Sequence, residues 1–342
     1  MNSKRVSLTI ATIILLLCTT KFTFAQEPFY KDKTIRIVVA TTAGGGFDAY
    51  TRTLTRHMGR FIPGQPALIV DNMPGAGHLI GANHVYKVAK PDGLTIGHFQ
   101  GGLFLYQLLG RPGIEFDAAK FRFIGAPVTD NRACALTRAS GITSVEQWLT
   151  AKTPVKLGGI GGGATDDIPR MLAVTTALPV QLVTGYKGTS QIRLAAESGE
   201  LAGGCWTWDS IRATWTKAIA SGDAVVVLQI LSKPHPELPS VPLASKLAKN
   251  EEARQLIQVG IEEPSDYYRP YVLPPGTPKE RVDTLRKAFQ ETLKDPEFLA
   301  DARKAKLDIE PITGEEMENK VNKLFKLNPS LVAKLRDVLG AK

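Results

Sequence analysis

The sequence predicts an α/β protein with mainly parallel strands, and two observations carry that prediction. From Thr34 onward, short β-type apolar runs alternate with segments whose apolar residues recur at helical spacing. In addition, Thr42–Asp48 and Gly158–Thr165 are glycine-rich turns between a strand-like and a helix-like segment, one in each half of the chain.

Ile35–Val39 reads as the first strand, and Phe47, Tyr50, Leu54, Met58 and Phe61 then follow a helical period. Ala67–Val70 is the next strand; the turn Asn72-Met73-Pro74-Gly75-Ala76-Gly77 opens a helix packing Leu79, Ile80, Val85 and Tyr86. After the turn Pro91-Asp92-Gly93, Leu94–His98 forms a third strand. A second α/β block starts near Asn131, with strands at Ala133–Leu136, Val155–Leu157, Val180–Val183, Ala202–Trp206 and Ala224–Ile230. Thr143-Ser144-Val145-Glu146 reads as a capping box. The Pro-rich stretch Lys233–Pro239 is expected to carry the chain back to the first block. Thr277-Pro278-Lys279-Glu280 and Asp295-Pro296 read as helix starts, and the remaining helices to Leu339 are expected on the outside of the first domain.

The N-terminus has Lys4 and Arg5, an apolar run from Val6 to Leu17, and small residues Thr23 and Ala25 before Gln26. This is the pattern of a secretory signal peptide over residues 1–25. The run is shorter than the roughly 20 residues a membrane span needs, which disfavours the rival reading as an uncleaved anchor. Bulky Leu17 before Cys18 disfavours lipid attachment. No later stretch is long and apolar enough to cross a bilayer, so an exported, periplasmic protein is expected. Roughly 317 residues remain without the leader, enough for two domains of ordinary size.

The leader holds three basic residues and no acid, so its removal lowers the formal charge from +9 to +6. That excess is spread out, without the Lys/Arg block of a nucleic-acid-binding protein. It favours anionic small ligands. Cys134 and Cys205 remain; an exported compartment allows them to pair, and two buried free thiols fit equally well. His78 and His84 lie on different faces of a helix, and nothing clusters as a metal site.

Glycine turns at strand-to-helix junctions present backbone N–H groups and the positive helix end to an anion. Gly159–Ala164 formally satisfies the GxGxxA pattern, which makes a nucleotide-cofactor oxidoreductase the alternative reading. The acidic residue that would hold a ribose is missing from Val180–Gly185, and the first loop lacks the Lys-Ser/Thr ending of a phosphate-binding loop. Asp166-Asp167 could form an acid/base pair, but acids at a helix start more commonly cap it. With no nucleophile elbow and no zinc motif, no enzyme activity and no cofactor are expected.

Five segments, in order, carry a resemblance: Ala43-Gly44-Gly45-Gly46-Phe47-Asp48, Asn72–Gly77, Pro91-Asp92-Gly93, Tyr186-Lys187-Gly188 and Leu273–Pro278. Together they resemble the substrate-binding proteins of tripartite tricarboxylate transporters, the TctC or Bug family, from about Tyr30 to Leu339. The resemblance implies a type II periplasmic binding protein fold, two α/β lobes with a central ligand cleft. Residues 26–126 and 231–342 would form lobe 1, and 127–230 lobe 2. It also implies a small carboxylate ligand delivered to membrane permease subunits, by a monomer. The implied ligand-binding residues are Thr42, Ala43, Gly44, Gly45, Gly46, Phe47 and Asp48, then Gln100, Gly101 and Gly102. From the second lobe come Gly163, Ala164, Thr165 and Asp166.

The chain departs from the family pattern in several places. Gly163 and Ala164 stand where Ser or Thr is common, Asp166 where His is common, and Phe47 replaces a small polar residue. Cys205-Trp206-Thr207-Trp208 replaces a Phe-Asp pair, with Trp206 and Trp208 expected on one strand face. Either they pack, or they form an aromatic wall, with Trp206 in the site, suited to an aromatic or apolar acid. A receptor reporting to a sensor kinase instead of a permease fits the same sequence.

Overall fold

The computed structural model describes residues 27–161 and 163–340; the leader predicted over residues 1–25 lies outside them. Eleven strands are described: β1 (Thr34–Val39), β2 (Ala67–Asn72), β3 (Thr95–His98), β4 (Arg122–Ala126), β5 (Arg132–Thr137), β6 (Val155–Gly159), β7 (Val180–Thr184), β8 (Gly203–Thr207), β9 (Ala224–Ile230), β10 (Tyr271–Leu273) and β11 (Ile312–Thr313). They form two sheets, ordered β11-β4-β10-β3-β1-β2 and β7-β6-β8-β5-β9.

β1 lies between β2 and β3, parallel to both, and Ile35 and Ile37–Val39 are buried in the core while Arg36 is half-buried. β2 is the sheet edge and has no fully buried residue. In the second sheet all six residues of β5 are buried, because β8 and β9 flank it and helices cover it. That burial explains a run of small and apolar residues without alternation.

The expectation of mainly parallel strands is corrected. β10 runs antiparallel to β3 and β4, β11 antiparallel to β4, and β5 antiparallel to β8 and β9. The parallel portions are the strand–helix–strand stretches; the antiparallel strands enter after the chain has passed from one sheet to the other. β10 and β11 are three and two residues long, too short to show a period of two.

Two helix starts shift as well. Ser144, not Thr143, caps Val145–Leu149 by accepting the Gln147 N–H. Pro278 occupies the cap of Lys279–Thr292, while the Thr277 hydroxyl donates to the Pro274 carbonyl. Asp295 caps Pro296–Lys304 as its sequence suggests. The last helix, Pro329–Leu339, does more than cover the first block. It packs on Ala164–Thr175, and Arg336 Nε donates to the Leu109 carbonyl. Among the described residues no helix is long and apolar enough to cross a membrane.

The register of β5 on β8 sets Cys134 directly opposite Cys205, and the two are joined as a disulfide, which decides the question their sequence left open. Both are fully buried. Closing a loop with a separation of 71 residues restricts the unfolded chain, and C134A/C205A should lose about 2–4 kcal/mol in urea unfolding. A loss below measurement would mean that the bond contributes nothing to stability.

Candidate functional site

A cavity of about 40 Å³ lies between the two sheets. From the first come Thr41, Gly45, Gly46, Phe47 and His78; from the second, Ile160, Thr165, Gly188, Thr189, Trp206, Thr207 and Ser210. Tyr268 and Arg269, on the segment leading into β10, complete it.

β1 ends at Val39, and the glycine turn swings directly into the helix Gly46–Met58. The first N–H groups of a helix have no carbonyl inside it to bond, and here that first turn faces the cavity. Asp48 does not. Its carboxylate accepts from the Gly44 N–H (2.9 Å), Arg52 Nε (2.8 Å) and Asn72 Nδ2 (3.0 Å). Burial raises this carboxyl, but those hydrogen bonds outweigh it and hold the group below its ordinary value. Its charge is therefore spent on Arg52 and the loop. On the opposite side, Thr189 begins the helix Thr189–Glu197, and Thr165 lies in the first turn of Ala164–Thr175. Positive helix ends from both sheets thus converge on one cavity.

The lobes meet through glycines. A Cβ on Gly46 would stand 1.8 Å from Ser210 Oγ; one on Gly188, 2.7 Å from Thr42 Oγ1; one on Gly163, 1.7 Å from Gln100 Oε1. Each contact joins one sheet's loops to the other's. Gly45, by contrast, has only ordinary contacts near its Cβ position.

Arg269 sits at the centre of the junction with 1% of its surface exposed. Its Nη2 donates to Thr207 Oγ1 (2.6 Å) and Ser210 Oγ (2.8 Å), and its Nε to Asp130 Oδ1 (3.3 Å). The guanidinium lies over the rings of Phe47 and Tyr50, at 4.7 and 4.8 Å from their centroids. Burial alone would depress it, but Asp130, Tyr50 and Asp209 hold it above its ordinary value. Arg132 pairs with the other Asp130 oxygen (3.2 Å) and donates to the Ile261 carbonyl. Burial takes His78 down to about 3, with Arg269 adding to the effect, so His78 is neutral at physiological pH.

The sequence-derived residues separate into groups. Gly45, Gly46, Phe47, Thr165 and Trp206 line the cavity. Ala43 and Gly44 are exposed, and Thr42 is partly buried against Gly188. Gln100 stands behind the wall, donating to the Gly77 carbonyl and accepting from the Tyr268 hydroxyl; Gly101 and Gly102 turn there into the helix Gly102–Leu108. Gly163 and Ala164 start the helix Ala164–Thr175 outside the lining.

Asp166 and Asp167 do not cap that helix, whose cap position is Gly163, without a capping side chain. Asp166 accepts from the Ile160 N–H and the Thr165 and Thr184 hydroxyls. Asp167 reaches across to the other sheet's Tyr106, whose hydroxyl donates to it at 2.5 Å and accepts the Gly163 N–H. Trp208 begins a helix instead of continuing β8, and its indole donates to Glu237. Trp206 stacks on Trp215 instead, with centroids 5.9 Å apart. Arg269 was missed because nothing local in Tyr267-Tyr268-Arg269-Pro270 marks a buried cation.

Asp167 generates a pH prediction. Burial pushes its carboxyl from 3.8 up to about 7, with Asp166 adding to the rise and Tyr106, Arg111 and Arg170 opposing it. Between those values the folded chain keeps a proton that the unfolded chain releases, so this group's contribution to stability falls as pH rises. Relative to wild type, D167N should therefore gain at least about 1 kcal/mol between pH 4.5 and pH 8 in urea unfolding. Parallel pH profiles would sink the assignment.

The chain matches the family model described as the tripartite tricarboxylate transporter family receptor, TctC, over residues 51–326. It is 27% identical over 292 residues to a UPF0065 protein in the gbd 5' region of Cupriavidus necator, covering 84% of this chain and 82% of that one. Its structure is similar to that of the periplasmic binding protein BugD, with a TM-score of 0.71 at 23% identity, covering 90% and 98% of the two chains. Similar too is Rpa4515 of R. palustris, solved with adipate, with a TM-score of 0.72 at 17% identity and coverage of 90% and 97%. The fold is thus the two-lobe fold of periplasmic binding proteins, and the chain belongs to the TctC family of tripartite tricarboxylate transporter receptors.

Proposed function

We propose that the protein is a periplasmic receptor that closes its two lobes around a small carboxylate and delivers it to the permease subunits of a tripartite tricarboxylate-type transporter. The lobes would be residues 26–126 with 231–342, and residues 127–230. Binding energy from both sides stabilises the closed state, a hinge transition in which no bond is made or broken. The observation that carries the reading is the convergence of helix N-termini from both sheets on one cavity. Adipate in the structural relative Rpa4515 fits the same ligand class.

Within this reading the loop Thr42–Asp48 supplies backbone groups through Gly45 and Gly46, and its remaining residues shape the turn. Gln100–Gly102 support the wall, and Gly163–Asp166 present Thr165. The receptor works as a monomer without a cofactor. The oxidoreductase alternative is not favoured: the Asp166 carboxylate already accepts the Ile160 N–H of the GxGxxA turn and lies about 2.7 Å from a Cβ position on Gly159. A phosphate brought to that turn would meet a negative charge instead of free donors.

A thermal-shift screen of the purified protein against mono-, di- and tricarboxylates and amino acids tests the function. At 100 times its dissociation constant a ligand adds about 2.7 kcal/mol, which raises the midpoint by several degrees. No shift with any acid, alongside uptake of NAD or FAD, would replace the receptor by an enzyme. Replacing Gly46 with valine drives a side chain into Ser210, so G46V should fold normally by circular dichroism yet lose the ligand-induced shift. A retained shift would show that the lobes need not approach there.

A further inference from the structure

We propose that Arg269 is the anion anchor of the interlobe cavity, and that it makes the protein selective for a small monocarboxylate with an apolar body. The inference rests on the carboxylate-receptor reading above and specifies how that site recognises its guest.

Two buried donors at this cavity have no hydrogen-bond partner among the described residues: Arg269 Nη1 and the indole N–H of Trp206. Native proteins rarely leave such groups unsatisfied, and least of all a charged one. The direct ion pairing is also uneven. Arg132 and Arg269 share one carboxylate, Asp130. Asp209 lies nearby, but neither of its oxygens hydrogen-bonds to a guanidinium.

Placement adds a third argument. Arg269 Nη2 lies 3.4 Å from the Cβ position of Gly46, the first residue of the helix Gly46–Met58. A cation at the positive end of a helix is unfavourable by itself. A carboxylate in the cavity reverses the sign of both interactions, since guanidinium and helix end then share one anion.

Selectivity follows from what else lines the cavity. Arg269 is its only charged residue among those described, and neutral His78 offers no second cation. The aromatic rings of Phe47, Trp206 and Tyr268 form much of the remaining wall. A second carboxylate would face those rings with no second cationic side chain to pair it, at a desolvation cost. The volume of about 40 Å³ suits a carboxylate group, and the lobes must part slightly to admit its apolar body.

Calorimetric titration of the purified protein with butyrate, benzoate, phenylacetate, benzamide, adipate and citrate tests this. At least one of the three monocarboxylates should bind at least tenfold more tightly than adipate and citrate, and benzamide should not bind. R269Q should weaken that monocarboxylate about tenfold to a hundredfold, and W206F about threefold to tenfold. Because Arg269 also holds Asp130, D130N/R269Q removes both charges if R269Q alone fails to fold, and the benzamide comparison needs no variant. Adipate or citrate binding as tightly as every monocarboxylate, or unchanged affinity in R269Q, would overturn the inference and leave the receptor reading intact. Binding by no acid of any class would overturn both.

Discussion

The buried guanidinium of Arg269 is the constraint around which the junction between the sheets is organised. A charge removed from water must be paired and hydrogen-bonded, or it destabilises the fold by several kcal/mol. Here the partners come from separate parts of the chain: Asp130 on the segment joining the sheets, and Thr207 with Ser210 at the end of β8. The ring faces of Phe47 and Tyr50 add cation–π contacts from the first long helix. One side chain therefore links the crossing strand, both sheets and the glycine turn.

Around that centre the second requirement is steric. Gly46, Gly163 and Gly188 each meet a side chain of the opposite sheet at a distance that leaves no space for a Cβ. A glycine loop is commonly read as a device for exposing backbone N–H groups to a ligand. In this protein the same residues also let two lobes come into contact. The two roles belong together, because an anion held by helix ends is bound strongly only where water is excluded.

The acids beside the two glycine turns are committed to partners within the protein. Asp48 is committed to Arg52, Gly44 and Asn72, and Asp166 to Ile160, Thr165 and Thr184. Asp167 is bonded to Tyr106, on the helix Gly102–Leu108 that follows β3. These side chains thus serve as fasteners of loops, and Arg269 is the one charged residue among those described that lines the cavity. In the folded chain Asp166 and Asp167 have separate partners, and the Gly159–Ala164 turn has the Asp166 carboxylate beside it.

Periodicity and turn chemistry alone made the α/β class legible, together with most of the strands and the two glycine turns, because those features depend on residues close in the chain. The strand Ile35–Val39 and the helix after Gly46 are examples. Short β10 and β11, the antiparallel entries and the pairing of Cys134 with Cys205 were decided by which segments meet after the chain crosses between sheets. The same holds for the site. Gly45, Gly46, Phe47, Thr165 and Trp206 could be picked out beforehand, whereas the burial of Arg269 and the contact of Tyr106 with Asp167 join residues 139 and 61 positions from their partners. Local sequence encodes which backbone groups are left unpaired; only the packing of distant segments determines which charge is brought to face them.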